Sequence, residues 1–114
     1  MTDQTTADGV RYCGKRIPDS SAGRIYRVEP DGTEVELDLR LDLRNASPTG
    51  FNWGYPGSGP MQAAVAILAD AYDDDTAVRN AAQFKDKFLA DLDMDAGFIL
   101  HQDSIPEYLP GVDL

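Results

Sequence analysis

The sequence is poor in the residue types that carry chemistry. It holds one cysteine, one histidine and only three lysines among its ten basic residues. A lone Cys13 excludes an internal disulfide and, without Cys or His neighbours, a zinc site; it is expected as a small core side chain. The lack of clustered Lys and Arg speaks against direct nucleic-acid binding, because phosphate contacts need grouped positive charge. No apolar run approaches the ~20 residues that cross a bilayer, so no membrane span is expected. The opening MTDQTTAD carries acid where a secretory signal carries base and then an apolar run. Residues 1–9 are therefore read as a disordered tail of a cytoplasmic protein, and residues 10–114 as a single domain able to bury its own core.

What the chain has in excess is acid. Twenty Asp and Glu stand against ten Lys and Arg, for a net charge of -10. Dispersed carboxylates hold water and keep a protein soluble where salt screens their repulsion, which points to a halophilic source. The alternative is that the acid imitates a phosphate backbone, in an inhibitor that occupies a nucleic-acid-binding defence enzyme. The spread of the acids along the chain favours habitat over mimicry.

The spacing of apolar residues predicts an α+β fold. Val10–Arg16 alternates weakly as a strand, and IPDSSAG follows with turn-forming residues. Arg24–Val28 is strand-like, and EPDGT then suits a tight reversal. TEVELDLRLDLRN alternates Val35, Leu37, Leu39, Leu41 and Leu43 with charged residues, which predicts a long strand with its aliphatics on the core face and a bend or break near Arg40. Ser58 or Gly59 is expected to cap a helix beginning at Pro60. That helix, MQAAVAILADAY, is apolar nearly all round, so it is expected at the centre of the core.

Asp73–Asp75 ends the first helix and starts a second, with acid where the helix dipole favours it. Val78, Ala81, Ala82, Lys85, Phe88, Leu89 and Leu92 continue at helical spacing, with Phe84 at the flank. AGFILHQ reads as a last strand, and SIPEYL as one helical turn with a capping box on Ser104. The expectation is an antiparallel sheet of about four strands, with two antiparallel helices on one face and the first helix buried.

Catalytic signals are sparse. His101 has no serine or cysteine beside it in sequence to activate. Asp91, Asp93 and Asp95 form the one metal alternative, but the glycine of a calcium loop falls a place late at Gly97 and Gln102 stands where a bidentate Glu belongs. No catalytic residue and no cofactor is expected. The remaining candidate is SPTGFNWGYPGSGP (residues 47–60), which holds four of the ten glycines, three of the seven prolines and the only tryptophan. In extended backbone Phe51, Trp53 and Tyr55 share a face. They either cap the open end of the core or stand exposed as interface anchors. Arg44, Asn45, Ser47, Phe51, Trp53, Tyr55, Ser58 and Gln62 are the candidate contacts for a protein partner.

The GF-x-WGY-x-GSGP segment, preceded by RYCGKR and LDLRN and followed by AAVAILAD, resembles a small domain family of unknown function found in phages, plasmids, bacteria and haloarchaea. The likeness covers most of residues 10–102 and implies no activity or catalytic residue. It implies a mobile-element or viral accessory setting. Three readings follow: a non-enzymatic accessory or interaction protein, an acidic nucleic-acid mimic, or a small hydrolase or transferase.

Overall fold

A computed structural model describes residues 9–114; the expected tail, Gly9 apart, lies outside them. Four strands, β1 (Arg11–Arg16), β2 (Gly23–Val28), β3 (Glu34–Glu36) and β4 (Phe98–His101), make one antiparallel sheet in the order β3-β2-β1-β4. Two helices, α1 (Ser58–Ala71) and α2 (Asp74–Lys87), pack against each other. Short 3-10 helices follow at Leu89–Asp91 and Gln102–Tyr108. The fold is α+β, as the periodicities predict.

The two-residue period of the strands sorts side chains cleanly. Tyr12, Ile25, Phe98 and Leu100 point to the helices and are buried, and Gly14 on the same face lets the Phe98 ring lie against the backbone. Helix α1 is buried from Gly59 to Leu68, so its uniform apolarity does reflect a central position. At the hairpin, the Thr33 N–H donates to the Asp31 carboxylate (2.9 Å) and Gly32 adopts φ 93°, a conformation that suits glycine.

Five local expectations need correction. The long strand after Thr33 is only β3, extended by one further bond from the Leu37 N–H to the Ile25 carbonyl (2.8 Å). Arg40 then takes φ 57° and the chain turns through residues 41–43. Alternation therefore does not carry one face to the core. Leu37 is buried and Leu39 and Leu43 pack on the core's rim, whereas Val35 (41%) and Leu41 (37%) stay exposed. Cys13 is half-buried on the sheet face away from the helices and is not a core residue.

On α2 the buried stripe is Ala77, Ala81 and Phe84, followed by Phe88. Val78 is 59% exposed and Phe84 is central where it was expected at the flank. Rings decide that rotation: Phe84 stacks on Phe88 (centroids 5.5 Å) and meets Tyr108 edge-on. The α1 N-cap is Gly57 without a side-chain cap, so Ser58 opens the helix and does not cap it; Ser104 likewise caps nothing. Asp73 does cap α2, accepting the Thr76 N–H at 2.7 Å.

Candidate functional site

The segment from residue 47 to 60 joins sheet to helix through its own backbone. Ser47 Oγ donates to the Gly50 carbonyl (2.7 Å), closing a turn, and the Gly23 N–H donates to the Phe51 carbonyl (2.8 Å), adding the loop to the start of β2. Phe51 and Trp53 are buried, Trp53 completely. The indole lies over Gly23, where a Cβ would stand 2.4 Å from the ring, and meets Phe98 edge-on at 4.9 Å. Its Nε1–H donates to the Ala96 carbonyl at 2.7 Å. Tyr55 is half-buried, its ring against Gly57 and its hydroxyl beside Gly59. Two of the three rings thus sit inside the core.

Gln62 is the loop's organiser. It is fully buried in the second turn of α1. Its Oε1 accepts the N–H groups of Ala46 (2.9 Å) and Ser47 (2.8 Å), and its Nε2 donates to the carbonyls of Leu39 and Arg44. An amide offers two donors and two acceptor lone pairs, so Gln62 meets its full capacity on main-chain groups of residues 39–47. This explains why the alternating segment leaves the sheet: its carbonyls are claimed by a helix. Arg44, Asn45 and Ser58 are exposed and Ser47 is half-buried. The eight candidate contacts do not converge on one cleft.

A different cleft opens above Trp53. Residues Arg16, Ser20, Ser21, Asn52, Met94 and Asp95 line about 340 Å³. The Arg16 guanidinium stacks 4.2 Å over the indole, and its Nη groups donate to Asn52 Oδ1 and to the Trp53 carbonyl. Asn52 is held in turn by its Nδ2, which donates to the Ser21 carbonyl.

A second polar cluster ties helix to sheet. Tyr12 donates to Asp70 Oδ2 (2.8 Å), Arg27 donates to Asp70 Oδ1 (2.7 Å), and Arg27 Nε donates to Glu29 (2.8 Å). Burial, reinforced by the Asp70 hydrogen bond, pushes the Tyr12 hydroxyl well above its ordinary pKa, and the Asp70 charge raises that of Arg27. Both Asp70 oxygens are engaged and the phenol stays protonated, so the cluster holds no free base or nucleophile. It borders a hollow of only about 110 Å³. Sequence reasoning missed it, although a signal existed: Asp70 is the one charge in an otherwise apolar helix.

The remaining candidates are simpler. Asp93 accepts the Asp95 N–H (2.8 Å), a local turn. Among the described residues no group of three or more His, Cys, Asp or Glu side chains is placed to hold a metal ion. His101 is exposed at the end of β4. No helix among the described residues is long and apolar enough to cross a membrane.

Among the described residues the sheet face opposite the helices carries no helix of its own. Cross-strand register puts Tyr26, Cys13 and Ile99 in one row, flanked by Arg11, Lys15 and Arg24. Glu34 and Glu36 of β3 share this face. Lys15 reaches Glu34 (3.1 Å) and lies 4.8 Å from the centre of the Tyr26 ring, and Arg24 approaches Glu36 (3.8 Å). Ile99 is 66% exposed beside a shallow hollow of about 520 Å³. Three bases against two acids make this face locally non-acidic on a chain of net charge -10.

Fold and surface together define a small α+β domain with a single helical layer and a bare sheet face. The chain belongs to a family of unknown function, DUF6166, whose model matches residues 12–111. No curated protein and no solved structure matches it.

Proposed function

We propose that this chain is a non-enzymatic interaction protein of a high-salt, viral or plasmid setting, working inside the cell, and that it meets a protein partner through its bare sheet face. The observation that carries this reading is exposed Ile99, in one row with half-buried Cys13 and Tyr26 and bordered by Arg11, Lys15 and Arg24. An interface between two proteins in such a setting forms most readily where acid is least dense, because like charges in direct contact stay costly even when salt screens the longer-range field. The partner is accordingly a protein that presents an aliphatic side chain within an acidic surface. The candidate contacts of the 44–62 segment support this assignment by their burial: Phe51, Trp53 and Gln62 have partners of their own.

A photoreactive residue placed at Ile99, with one at the similarly exposed Val78 of α2 as control, tests the reading in the native host. Ile99 is expected to give one dominant protein adduct through an acidic segment, and Val78 none. Equal labelling from both positions, or none from Ile99, overturns the proposal.

A further inference from the structure

The cleft over Trp53 contains a cation that the fold leaves underused. Arg16 carries five N–H donors. Among the described residues two bonds use them, one to Asn52 Oδ1 and one to the Trp53 carbonyl (3.2 Å), and the Nε is buried without a partner. No described carboxylate comes within ion-pair distance of Arg16, in a chain with twice as many acids as bases. Stacking on the indole fixes the guanidinium plane, so an incoming carboxylate meets the second N–H of each Nη already oriented. Asp95 lines the same cleft, and its carboxylate likewise takes part in no ion pair among the described residues. Met94, half exposed, supplies an apolar wall.

We propose that this cleft holds a small zwitterion of the α-amino-acid type with an aliphatic side chain. Its carboxylate lies on Arg16, its ammonium on Asp95 and its side chain against Met94. At low salt a simple anion would approach against the field of ten excess negative charges, whereas a zwitterion has no net charge to repel. The cleft volume, about 340 Å³, falls at the small end of ligand sites.

Trp53 is the chain's only tryptophan and lies directly under Arg16, so its emission reads the site. The intact protein is titrated with L-leucine, with leucinamide, which lacks the carboxylate, and with 4-methylpentanoate, which lacks the ammonium. Leucine is expected to give a saturable change, and each analogue to bind at least about tenfold more weakly, the loss of one charge-assisted contact. Asp95→Asn, in an exposed loop, is expected to keep the wild-type circular dichroism and to weaken leucine about tenfold while leaving 4-methylpentanoate unaffected. Absence of a saturable response at about 10 mM leucine overturns the proposal. So does equal binding of either analogue, or unchanged leucine binding in Asp95→Asn. Arg16→Gln adds the carboxylate arm, and should it unfold, the analogues and Asp95→Asn still decide.

Discussion

Trp53 and Gln62 show how much of this fold hangs on single side chains. Trp53 fills the space above Gly23, packs on Phe98 and bonds the Ala96 carbonyl, joining β2, β4 and the loop before β4. Trp53→Ala is expected to destabilise the protein by about 3–5 kcal/mol, read from the urea midpoint, because no neighbour can collapse into so large a void. A loss under about 1 kcal/mol would mean the ring is not a core residue. Gln62→Leu keeps the volume but strips four main-chain groups of their partner. Unfolding is expected to become easier by at least about 2 kcal/mol, with faster amide exchange at Ala46 and Ser47 as its local signature. That Trp53 could cap the core was legible from the shared face of residues 51, 53 and 55. Gln62 was not legible as an organiser, since a polar residue in the second turn of a helix looks the same whether it bonds water or a distant loop.

At the scale of elements, the Thr33–Arg44 segment carries the clearest period in the chain and yet forms a strand of three residues. Alternation only says which side chains could share a face; main-chain partners decide whether the ladder continues. Here Gln62 draws the Leu39 and Arg44 carbonyls toward α1, and Arg40 at φ 57° reverses the chain. The Gly54 turn is fixed as tightly, with φ 91°, its N–H bonded to the Leu89 carbonyl (2.8 Å), and the Met94 backbone 2.4 Å from where a Cβ would stand. Gly54→Ala is expected to cost at least about 2 kcal/mol by thermal denaturation, because strain and clash add at a site the backbone cannot leave. Helix α2 supplies a pH test. The Thr76 N–H on the Asp73 carboxylate holds its pKa below the ordinary 3.8. The cap therefore stabilises the fold above that value and loses its effect as pH falls through the lower, folded one. Asp73→Ala should lower the urea midpoint at neutral pH, and wild type and variant should converge once the pH has fallen below the lowered, folded pKa of Asp73. A difference that persists there would show that the cap does not act through its charge.

For the molecule as a whole, the balance of charge outweighs any one ion pair. Exposed pairs such as Lys15–Glu34 and Arg24–Glu36 contribute little, and salt weakens them. The excess acids of the described residues repel one another over dimensions of 42 × 36 × 24 Å. The screening length shrinks from about 30 Å at 0.01 M salt to about 3 Å at 1 M, from nearly the width of the molecule to a single contact. The urea midpoint is therefore expected to rise steadily with sodium chloride over that range; a flat or falling midpoint would show that self-repulsion is not the dominant electrostatic term. By itself the sequence determined the α+β class, the central place of α1, the break between the helices at Asp73–Asp75 and the excess of acid, because each follows from composition, from residue type at a helix start or from a period of two or 3.6 residues. Only the tertiary structure decided that Gln62 ends the third strand, that Phe84 turns α2, that Arg16 settles on Trp53 and that Cys13 and Ile99 share an uncovered face. Those outcomes depend on which distant groups come within hydrogen-bond or van der Waals reach, and no local pattern encodes a contact between residues 39 and 62 or between 16 and 53.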